Sequence, residues 1–577
     1  MKQEIREILE KLRINEENIK AIKKSGLELI KDEENILKVK IPSDVAYDLY
    51  CDNFLKDNDE VEEVNLLDIV YSEGMYATAY NYAKRHETRI INDTFDSECV
   101  SHLTALVCYI LTKINDYRYQ NLKSINDVTE PIPIQVFLNL VNSNKNIKVS
   151  ITDDEGNTFA GQLQNIRIEH SMFSGPKIIA VINIISKAPE GYVKANYGIG
   201  LPYIPFISSL EDLGLTVIET GDNNYKKLTE RGRKYIELTE KPKYCEYHGF
   251  AYSQGWMADE RHRIDSRIMI DINAFKMLNP NINSDWFAGD AAYSKNLIGN
   301  IIDEKYLWMC SPVVYGFSFD NKTWCRFSVS DISEIKFSEK AFDDLIIPEE
   351  NKAIFTASLT HDMPSLDAIS NKGAGKIFLL YGAPGVGKTM TAESVAEFLK
   401  KPLYFVSVGE LGTSPARLEE SLDRIMKIAQ SWDAIILLDE VDVFAVDRLG
   451  TSIERNAMTA IFLRMLERYS GVMFMTTNLK DNLDPAFISR ATATIEYKSL
   501  TEKDREQIWL GILNKANSIG KVIVDNSVYE AIKEHAMIDI NGRVIKNTIR
   551  LAYTLALTTE DKVLRNSHIL SAIKLRG

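Results

Sequence analysis

The feature that most constrains this chain is a regular alternation of apolar runs and amphipathic segments after about residue 375. Four runs have the length of buried strands, and they read KIFLLY, LYFVSV, AIILLD and GVMFMTT. The segments between them carry apolar residues at helical spacing. This alternation predicts an α/β fold in which helices cover both faces of a parallel sheet. In such a fold, ligands bind at the carboxyl ends of the strands.

The first apolar run leads into a glycine-rich sequence, GAPGVGKTM, over residues 382–390. It fits the pattern GxxxxGK[ST], in which backbone N–H groups surround phosphate oxygens at a helix N-terminus. Lys388 is expected to neutralise the β- and γ-phosphates, and the Thr389 hydroxyl to ligate Mg²⁺. A plain glycine-rich turn is disfavoured because a strand pattern precedes the motif and a helix pattern follows it. The predicted nucleotide contacts are Gly382, Ala383, Pro384, Gly385, Val386, Gly387, Lys388, Thr389 and Met390.

Two acids end the third apolar run, in AIILLDEVD. Asp439 is expected to hold Mg²⁺ through its hydration shell, and Glu440 to polarise the attacking water. Acids at a strand end can instead cap a following helix, and that alternative stays open. Together with the phosphate loop, the pair predicts hydrolysis as well as binding of ATP.

Two further polar residues follow the fourth run, in MFMTTNLKDNLDPAFISRA. Asn478 is suited to orienting water or contacting the γ-phosphate. Arg490 lies twelve residues later, and an arginine presented by a neighbouring subunit can stabilise transition-state charge. Its alternative interpretation is an ordinary surface arginine after a short helix.

The order GAPGVGKT, IILLDEVD, TTN, AFISR and NGRVIKNTIRLA resembles the AAA branch of ring-forming ATPases over roughly residues 345–577. The resemblance implies Mg²⁺-dependent ATP hydrolysis by a homo-oligomeric ring, most often a hexamer. It assigns Asn478 to the sensor 1 position and Arg490 to the arginine finger. It also assigns Arg543 to sensor 2, on a helical lid of residues 500–577. A helix-capping NGR turn with a solvent-facing arginine is the alternative for Arg543.

A narrower resemblance concerns AAA proteins that are abundant in filamentous fungi and carry an uncharacterised β-rich N-terminal domain. VSVGELGTSPARLEESL and FLRMLERYSGVMFMTTN resemble their ATPase region. LTERGRKYIEL, YCEYHGFAY, SRIMIDINAF and SPVVYGFSFDNKTW resemble their N-terminal domain and extend the match back to about residue 200.

Two modules are expected to precede the ATPase region. Helical periodicity in EIREILEKLRINEENIKAIKK and ECVSHLTALVCYILTKI predicts a mostly helical module over residues 1–140. Alternation around a DEGN turn and later strand patterns predict a β-rich domain over residues 145–348. A large α/β ATPase domain over residues 349–499 and the lid over 500–577 complete the predicted order.

Composition limits the compartment and the partners. The net charge of −14 and pI of about 5.3 provide no global attraction to nucleic acid or an anionic membrane. The amphipathic, charged start is not expected to be a secretory signal, and no apolar run approaches the roughly 20 residues that span a bilayer. A soluble, cytoplasmic protein with reduced cysteines is expected. Cys245 and His248 have the spacing of metal ligands, but without a second pair an ordinary surface loop is expected there rather than a zinc site.

Three functions stay open from the sequence. The first is a remodeller of a protein partner, recruited by the N-terminal modules, and the others are a nucleic-acid-linked ATPase and a nucleotide-controlled switch or scaffold. In unfolding relatives, an aromatic residue in the loop after the second strand grips the substrate chain. The matching residues 409–420 contain no aromatic residue, whereas Phe444 fits either a second pore loop or core packing. The basic residues near the expected pore are few: Arg417, Arg448 and Arg455.

Overall fold

In the computed structural model, the described part of the chain begins with three short strands, β1 (Glu28–Lys31), β2 (Leu37–Lys40) and β3 (Glu63–Asn65), which form an antiparallel sheet. It continues over residues 121–575, except for 145, 172–174, 205, 255–258, 280–295, 362–374, 413, 443–452 and 480–484. The helices predicted in residues 4–24 and 98–114 lie outside the described residues, as do Phe444 and Arg448.

A six-stranded antiparallel sheet dominates residues 148–299, in the order β10-β5-β6-β7-β8-β13. Alternating residues of its long strands pack against helix α1, which begins at Ile134, and Phe137 and Val141 of that helix are buried there. The elements of this region are β4 (Ile132–Pro133), α1 (Ile134–Ser143), β5 (Lys148–Thr152), β6 (Thr158–Ser171), β7 (Gly175–Ala188), β8 (Gly191–Leu201), β9 (Phe206–Ile207), β10 (Thr216–Val217) and β13 (Asn296–Gly299).

Four antiparallel strands next to this sheet pair in a closed cycle, so they form a small barrel. Each of β11, β12, β14 and β15 pairs with two of the others, and β16 adds to β11. Closure leaves no free edge among the four strands. The elements are α2 (Asn223–Thr239), β11 (Lys243–Ser253), β12 (Glu260–Ile270), α3 (Ile272–Leu278), β14 (Val313–Ser318), β15 (Thr323–Ser328) and β16 (Ile332–Ser333).

Two details of the barrel differ from the sequence interpretation. The strand predicted over SRIMIDI ends at Ile270, because the Asp271 side chain accepts a hydrogen bond from Ala274 N and so starts a helix instead. The CEYH sequence lies within β11 rather than in a surface loop. Cys245 is buried and His248 is exposed, because residues three apart on a strand point to opposite faces. Within the described residues, no three or more His, Cys, Asp or Glu side chains are arranged so that they alone could hold a metal ion.

The region after residue 375 forms a five-stranded, wholly parallel sheet in the order β18-β19-β20-β17-β21. All four strands predicted from the apolar runs are present, and the sheet gains β21 as an edge strand. The elements are α4 (Glu349–Thr360), β17 (Lys376–Gly382), α5 (Lys388–Leu399), β18 (Leu403–Ser407), α6 (Pro415–Ser431), β19 (Ile435–Asp439), α7 (Ile453–Arg468), β20 (Val472–Thr477), α8 (Pro485–Ile488) and β21 (Ala493–Tyr497).

Both faces of this sheet are buried. Leu379 and Leu438 face one core together with residues of α6, whereas Phe378 and Leu437 face a second core together with residues of α4 and α5. Neighbouring positions on one strand thus enter opposite cores, which explains why these runs are continuously apolar.

The last helices form a bundle with its own core around Trp509, Ile545 and Ile569. Its elements are α9 (Glu502–Ser518), β22 (Ile523–Val524), α10 (Asn526–Glu530), α11 (Ile532–Met537), α12 (Gly542–Leu557), β23 (Val563–Leu564) and α13 (Asn566–Lys574). Of the helices in the described part of the chain, none combines the length and the apolar character that crossing a bilayer requires.

Candidate active site

The glycine-rich loop connects β17 to α5 at the carboxyl edge of the parallel sheet. Gly382, Gly385 and Gly387 all have positive φ, at 146°, 78° and 110°, a region that glycine adopts without steric cost. At Gly382 a side chain is also excluded by space, because a Cβ there would lie 2.2 Å from the carbonyl oxygen of Tyr497. The loop therefore takes the sharp path that exposes N–H groups at the start of α5.

Lys388 is the first residue of α5, and it is buried although charged. Its ammonium donates to Gly382 O at 2.7 Å, to Ala383 O at 2.8 Å and to Asn478 Oδ1 at 2.9 Å. An ammonium has three N–H donors, so these neutral oxygens use all of them. Burial lowers the pKa of Lys388, and the negative charge of nearby carboxylates, Asp439 first, opposes that effect.

Asp439 ends β19 beside the phosphate loop. Its Oδ1 accepts a hydrogen bond from Thr389 Oγ1 at 3.2 Å and a second from the hydroxyl of Thr476 on the neighbouring strand. The carboxylate and the Thr389 hydroxyl, the two predicted metal ligands, are therefore in direct contact.

Glu440 follows directly and has an exposed side chain. Its φ of 57° is uncommon for a residue with a side chain, and its N–H donates to Thr476 Oγ1 at 3.0 Å. One threonine hydroxyl thus fixes the carboxylate of Asp439 and the backbone of Glu440. The turn leaves the Glu440 carboxylate free to face solvent in front of the strand ends.

Asn478 follows β20, and Asp442, to which the sequence pattern assigns no role, holds it in place. Asp442 Oδ1 accepts hydrogen bonds from the Thr477 hydroxyl and from Asn478 N, the latter at 3.1 Å. The Asn478 side chain can then accept from Lys388. Asp442 is the last acid of the DEVD sequence, but its contact with Thr477 and Asn478 depends on the pairing of β19 with β20.

Arg490 and Arg543 occupy different positions from this group. The Arg490 guanidinium donates to Ala486 O at 2.9 Å and to Glu467 Oε1 at 2.5 Å, neither of which is among the predicted site residues. Arg543 is exposed in the first turn of α12, close enough that its charge contributes to lowering the pKa of Lys388. Asn541 caps α12, as the alternative interpretation of the NGR sequence predicts, and its side chain also contacts the phosphate loop.

The remaining predicted contacts follow the loop. Ala383 and Pro384 are exposed at its tip, Val386 packs into the core beneath it, and the Met390 side chain is 55% exposed on α5.

The donor set fits a nucleoside triphosphate with Mg²⁺. Phosphate oxygens require N–H and ammonium donors, which the loop backbone and Lys388 provide. Mg²⁺ prefers hydroxyl, carboxylate and water oxygens, and Thr389 and Asp439 meet this preference. Three acids lie at this edge, Asp439, Glu440 and Asp442, and each acts electrostatically on Lys388. A bound cation would offset their mutual repulsion.

Comparison with known proteins agrees with this chemistry. Residues 378–499 match the family described as "ATPase family associated with various cellular activities (AAA)". A protein described as a 26S proteasome regulatory subunit homolog in Methanothermobacter thermautotrophicus is 30% identical over 213 residues, which are 34% of this chain and 54% of the relative. The 26S proteasome regulatory subunit 6B homolog of Dictyostelium discoideum is 31% identical over 166 residues, which are 26% of this chain and 40% of the relative.

An ATP-dependent zinc metalloprotease FtsH from Metamycoplasma arthritidis is 27% identical over 254 residues, which are 41% of this chain and 33% of the relative. The chain spans about half or less of the length of these relatives. The similarity thus concerns the region that carries the site. Residues 378–499 form an ATPase domain of the AAA family, a family that uses ATP with Mg²⁺.

Proposed function

We propose that the whole protein hydrolyses ATP to ADP and phosphate and that this drives the remodelling of a protein partner. The observation that carries the hydrolysis step is the meeting of Lys388, Asp439 and Asn478 at three adjacent strand ends, with Glu440 beside them. Bound Mg²⁺ would neutralise phosphate charge, and Thr389 and Asp439 would hold the Mg²⁺ ion.

The chain's own groups then have distinct roles. Lys388 exchanges neutral oxygen partners for phosphate oxygens, so that its hydrogen bonds are made to charged acceptors, in addition to the attraction that nearby carboxylates already exert on it. Glu440 faces solvent, where its carboxylate can accept a proton from the attacking water. Asn478, positioned by Asp442, presents its amide beside Lys388 and can orient that water or contact the γ-phosphate.

Two substitutions test the hydrolysis step. Glu440→Gln keeps the size of the side chain and removes the base, so nucleotide binding should persist while turnover is lost. Lys388→Ala should lose nucleotide binding itself. Asp423→Asn is a matched control, because Asp423 is a partly exposed acid on α6 that pairs with Lys427 outside the site. A Glu440→Gln protein with native turnover would contradict the assignment.

We infer further that the active form is a ring, most simply a hexamer, in which Arg490 acts on the nucleotide of the neighbouring subunit. The contacts of Arg490 support this, because its hydrogen-bond partners Ala486 and Glu467 lie outside the site of its own subunit. The same proposal includes the predicted domain boundaries at residues 140, 348 and 499. In it, the helical lid that begins at residue 500 closes over the nucleotide. We also propose a cytoplasmic location for the protein.

We propose that the partner is a protein recruited by the regions before residue 348. The antiparallel barrel of residues 243–333 supports relating this region to the β-rich N-terminal domain of the AAA subgroup abundant in filamentous fungi. A nucleotide-controlled switch is the second candidate, and one contact favours it. Glu410, in the segment where unfolding relatives carry an aromatic grip, forms an ion pair with Lys322 of the barrel.

Stimulation of the ATPase separates these functions. A remodeller should hydrolyse ATP faster with an unfolded protein such as reduced, carboxymethylated lactalbumin. A nucleic-acid-linked enzyme should respond to single-stranded DNA or RNA, a class that the net charge of −14 disfavours. A switch should respond to neither, although nucleotide should change the exposure of the barrel surface. The Lys388→Ala protein serves as the common negative control.

A further inference from the structure

The N-terminus of lid helix α12 lies directly against the phosphate loop. Asn541 caps this helix, because its Oδ1 accepts a hydrogen bond from Val544 N at 3.0 Å. Its Nδ2 donates to the carbonyl oxygen of Pro384 at 3.3 Å, and Gly542 N donates to that of Gly385 at 3.1 Å. Asn541 thus binds its own helix through one amide atom and the phosphate loop through the other.

The two segments approach closely enough that position 385 requires glycine and position 542 has little room for a side chain. A Cβ on Gly385 would lie 2.7–2.9 Å from the side-chain atoms of Asn541, and the φ of Gly385 is +78°. A Cβ on Gly542 would lie 3.2 Å from the Gly385 carbonyl oxygen. The side-chain amide of Asn541 fills the space that any larger residue at position 385 would occupy.

These contacts supply hydrogen-bond donors to the carbonyl groups of the phosphate loop. A loop that binds an anion through its N–H groups must turn its carbonyl groups away from the anion, and those carbonyls need donors of their own. Lys388 donates to the carbonyls of Gly382 and Ala383. The lid donates to the next two, those of Pro384 and Gly385. Four consecutive carbonyls therefore have partners, and the lid supplies half of them.

We propose that Asn541 is a positioning residue of the phosphate loop, which holds the loop carbonyls outward so that its N–H groups face the phosphates before nucleotide binds. This inference rests on the proposed nucleotide-binding function. The loop contacts phosphates that ATP and ADP share. Loss of the Asn541 contact should consequently lower the affinities for ATP and ADP by the same factor. Loss of a residue that senses the γ-phosphate would instead lower the affinity for ATP alone.

Two variants separate the loop contact from helix capping. Asn541→Ser keeps a good N-cap acceptor but is shorter and lacks the amide donor, whereas Asn541→Ala removes both. Asp525→Ala is the matched control, because Asp525 caps helix α10 of the same lid through Ser527 N at 2.9 Å without contacting the loop.

The first measurement is amide hydrogen exchange of residues 383–388 in the nucleotide-free, full-length protein. Both Asn541 variants should exchange faster there than the native protein, and Asp525→Ala should not. The second is the affinity for ADP and for ATP, each with Mg²⁺, by titration calorimetry. Loss of one hydrogen bond should weaken both by about threefold to tenfold, while kcat at saturating ATP stays within about twofold.

Unchanged loop exchange in Asn541→Ser and Asn541→Ala would overturn the proposal. So would an equal acceleration in Asp525→Ala, because general loosening of the lid would then explain it, and so would an affinity loss confined to ATP. If exchange responds as expected but the native protein binds neither nucleotide, the loop contact stands and the proposed nucleotide-binding function fails.

Discussion

The indole Nε1 of Trp432 donates a buried hydrogen bond of 2.8 Å to Oδ2 of Asp271. Trp432 follows helix α6 of the ATPase domain, whereas Asp271 begins helix α3 beside the barrel. Aromatic rings of both regions surround the bond, including Phe317 of β14 stacked on Tyr404 of β18 at 5.6 Å. The barrel and the ATPase sheet therefore share one hydrophobic core.

Two ion pairs border this core. Arg267 of β12 pairs with Glu397 of α5, and Lys322, in the turn between β14 and β15, pairs with Glu410 after β18. Helix α5 begins with Lys388 of the phosphate loop. The barrel thus contacts the helix whose first residue is Lys388, so a shift of α5 on nucleotide binding would act directly on the barrel.

Asp271→Ala should destabilise this junction. The substitution leaves the buried indole N–H of Trp432 without its acceptor and removes the cap of α3, and together these should cost about 1–3 kcal/mol. Asp271→Asn, which keeps one of the two acceptor oxygens, should lose less. Thermal unfolding followed by near-ultraviolet circular dichroism measures the effect. Equal melting temperatures for Asp271→Ala and the native protein would show that the bond adds nothing to stability.

Four strands of the parallel sheet could be predicted from the sequence because each is a continuous apolar run, and KIFLLY matches β17 to within one residue. The edge strand β21 could not, because its sequence, ATIEY, contains polar residues. The phosphate loop follows from its glycines and Lys388. Contacts between distant segments could not be predicted. Asn541 and Pro384 are 157 positions apart, and no local periodicity connects them. Likewise, the bond between Trp432 and Asp271 depends on how two separately folded regions pack.

Nucleotide affinity should begin to fall at a lower alkaline pH than the pKa of an ordinary lysine would predict. Burial lowers the pKa of Lys388 below its usual 10.5, and phosphate binds the protonated form. ADP affinity should therefore decline as pH rises through that lowered pKa. Titration of ADP without Mg²⁺ between about pH 8 and about pH 10 measures this, with circular dichroism as a check on folding.

Lys388→Arg is the control for this pH dependence, because a guanidinium stays protonated over the whole range. The variant should bind ADP less well at every pH, since its planar group does not fit the three carbonyl and amide oxygens. However, its affinity should not fall toward alkaline pH. The same alkaline decline in both proteins would assign the titration to another group.

Arg490→Ala should slow hydrolysis by roughly 10³-fold while leaving ATP affinity nearly intact. The guanidinium is bound to Glu467 and Ala486 of its own subunit, so a catalytic effect requires a neighbour's phosphate. Mixing Arg490→Ala with Glu440→Gln subunits provides the sharper measurement. Interfaces that combine an intact Arg490 with an intact Glu440 should restore part of the activity. Full activity of a strictly monomeric protein at high dilution would refute action between subunits.

Arg543→Ala should reduce the preference for ATP over ADP. Arg543 lies in the first turn of α12, two residues after Asn541, and its charge already acts on Lys388. A γ-phosphate next to Lys388 would attract the same guanidinium, which would link the lid to the presence of ATP. Loss of that attraction should lower the affinity for ATP by about fivefold to a hundredfold and leave the affinity for ADP nearly unchanged.

Arg543→Lys separates charge from geometry, since a lysine keeps the charge but cannot form two parallel hydrogen bonds. It should restore only part of the ATP preference. Asn541→Ser provides the contrast within the same helix turn, because it should weaken both nucleotides equally. Calorimetric affinities of ATP and ADP for the three variants decide the matter. An unchanged ratio of the two affinities in Arg543→Ala, together with unchanged turnover, would remove Arg543 from the site and leave it as a surface arginine beside the Asn541 cap.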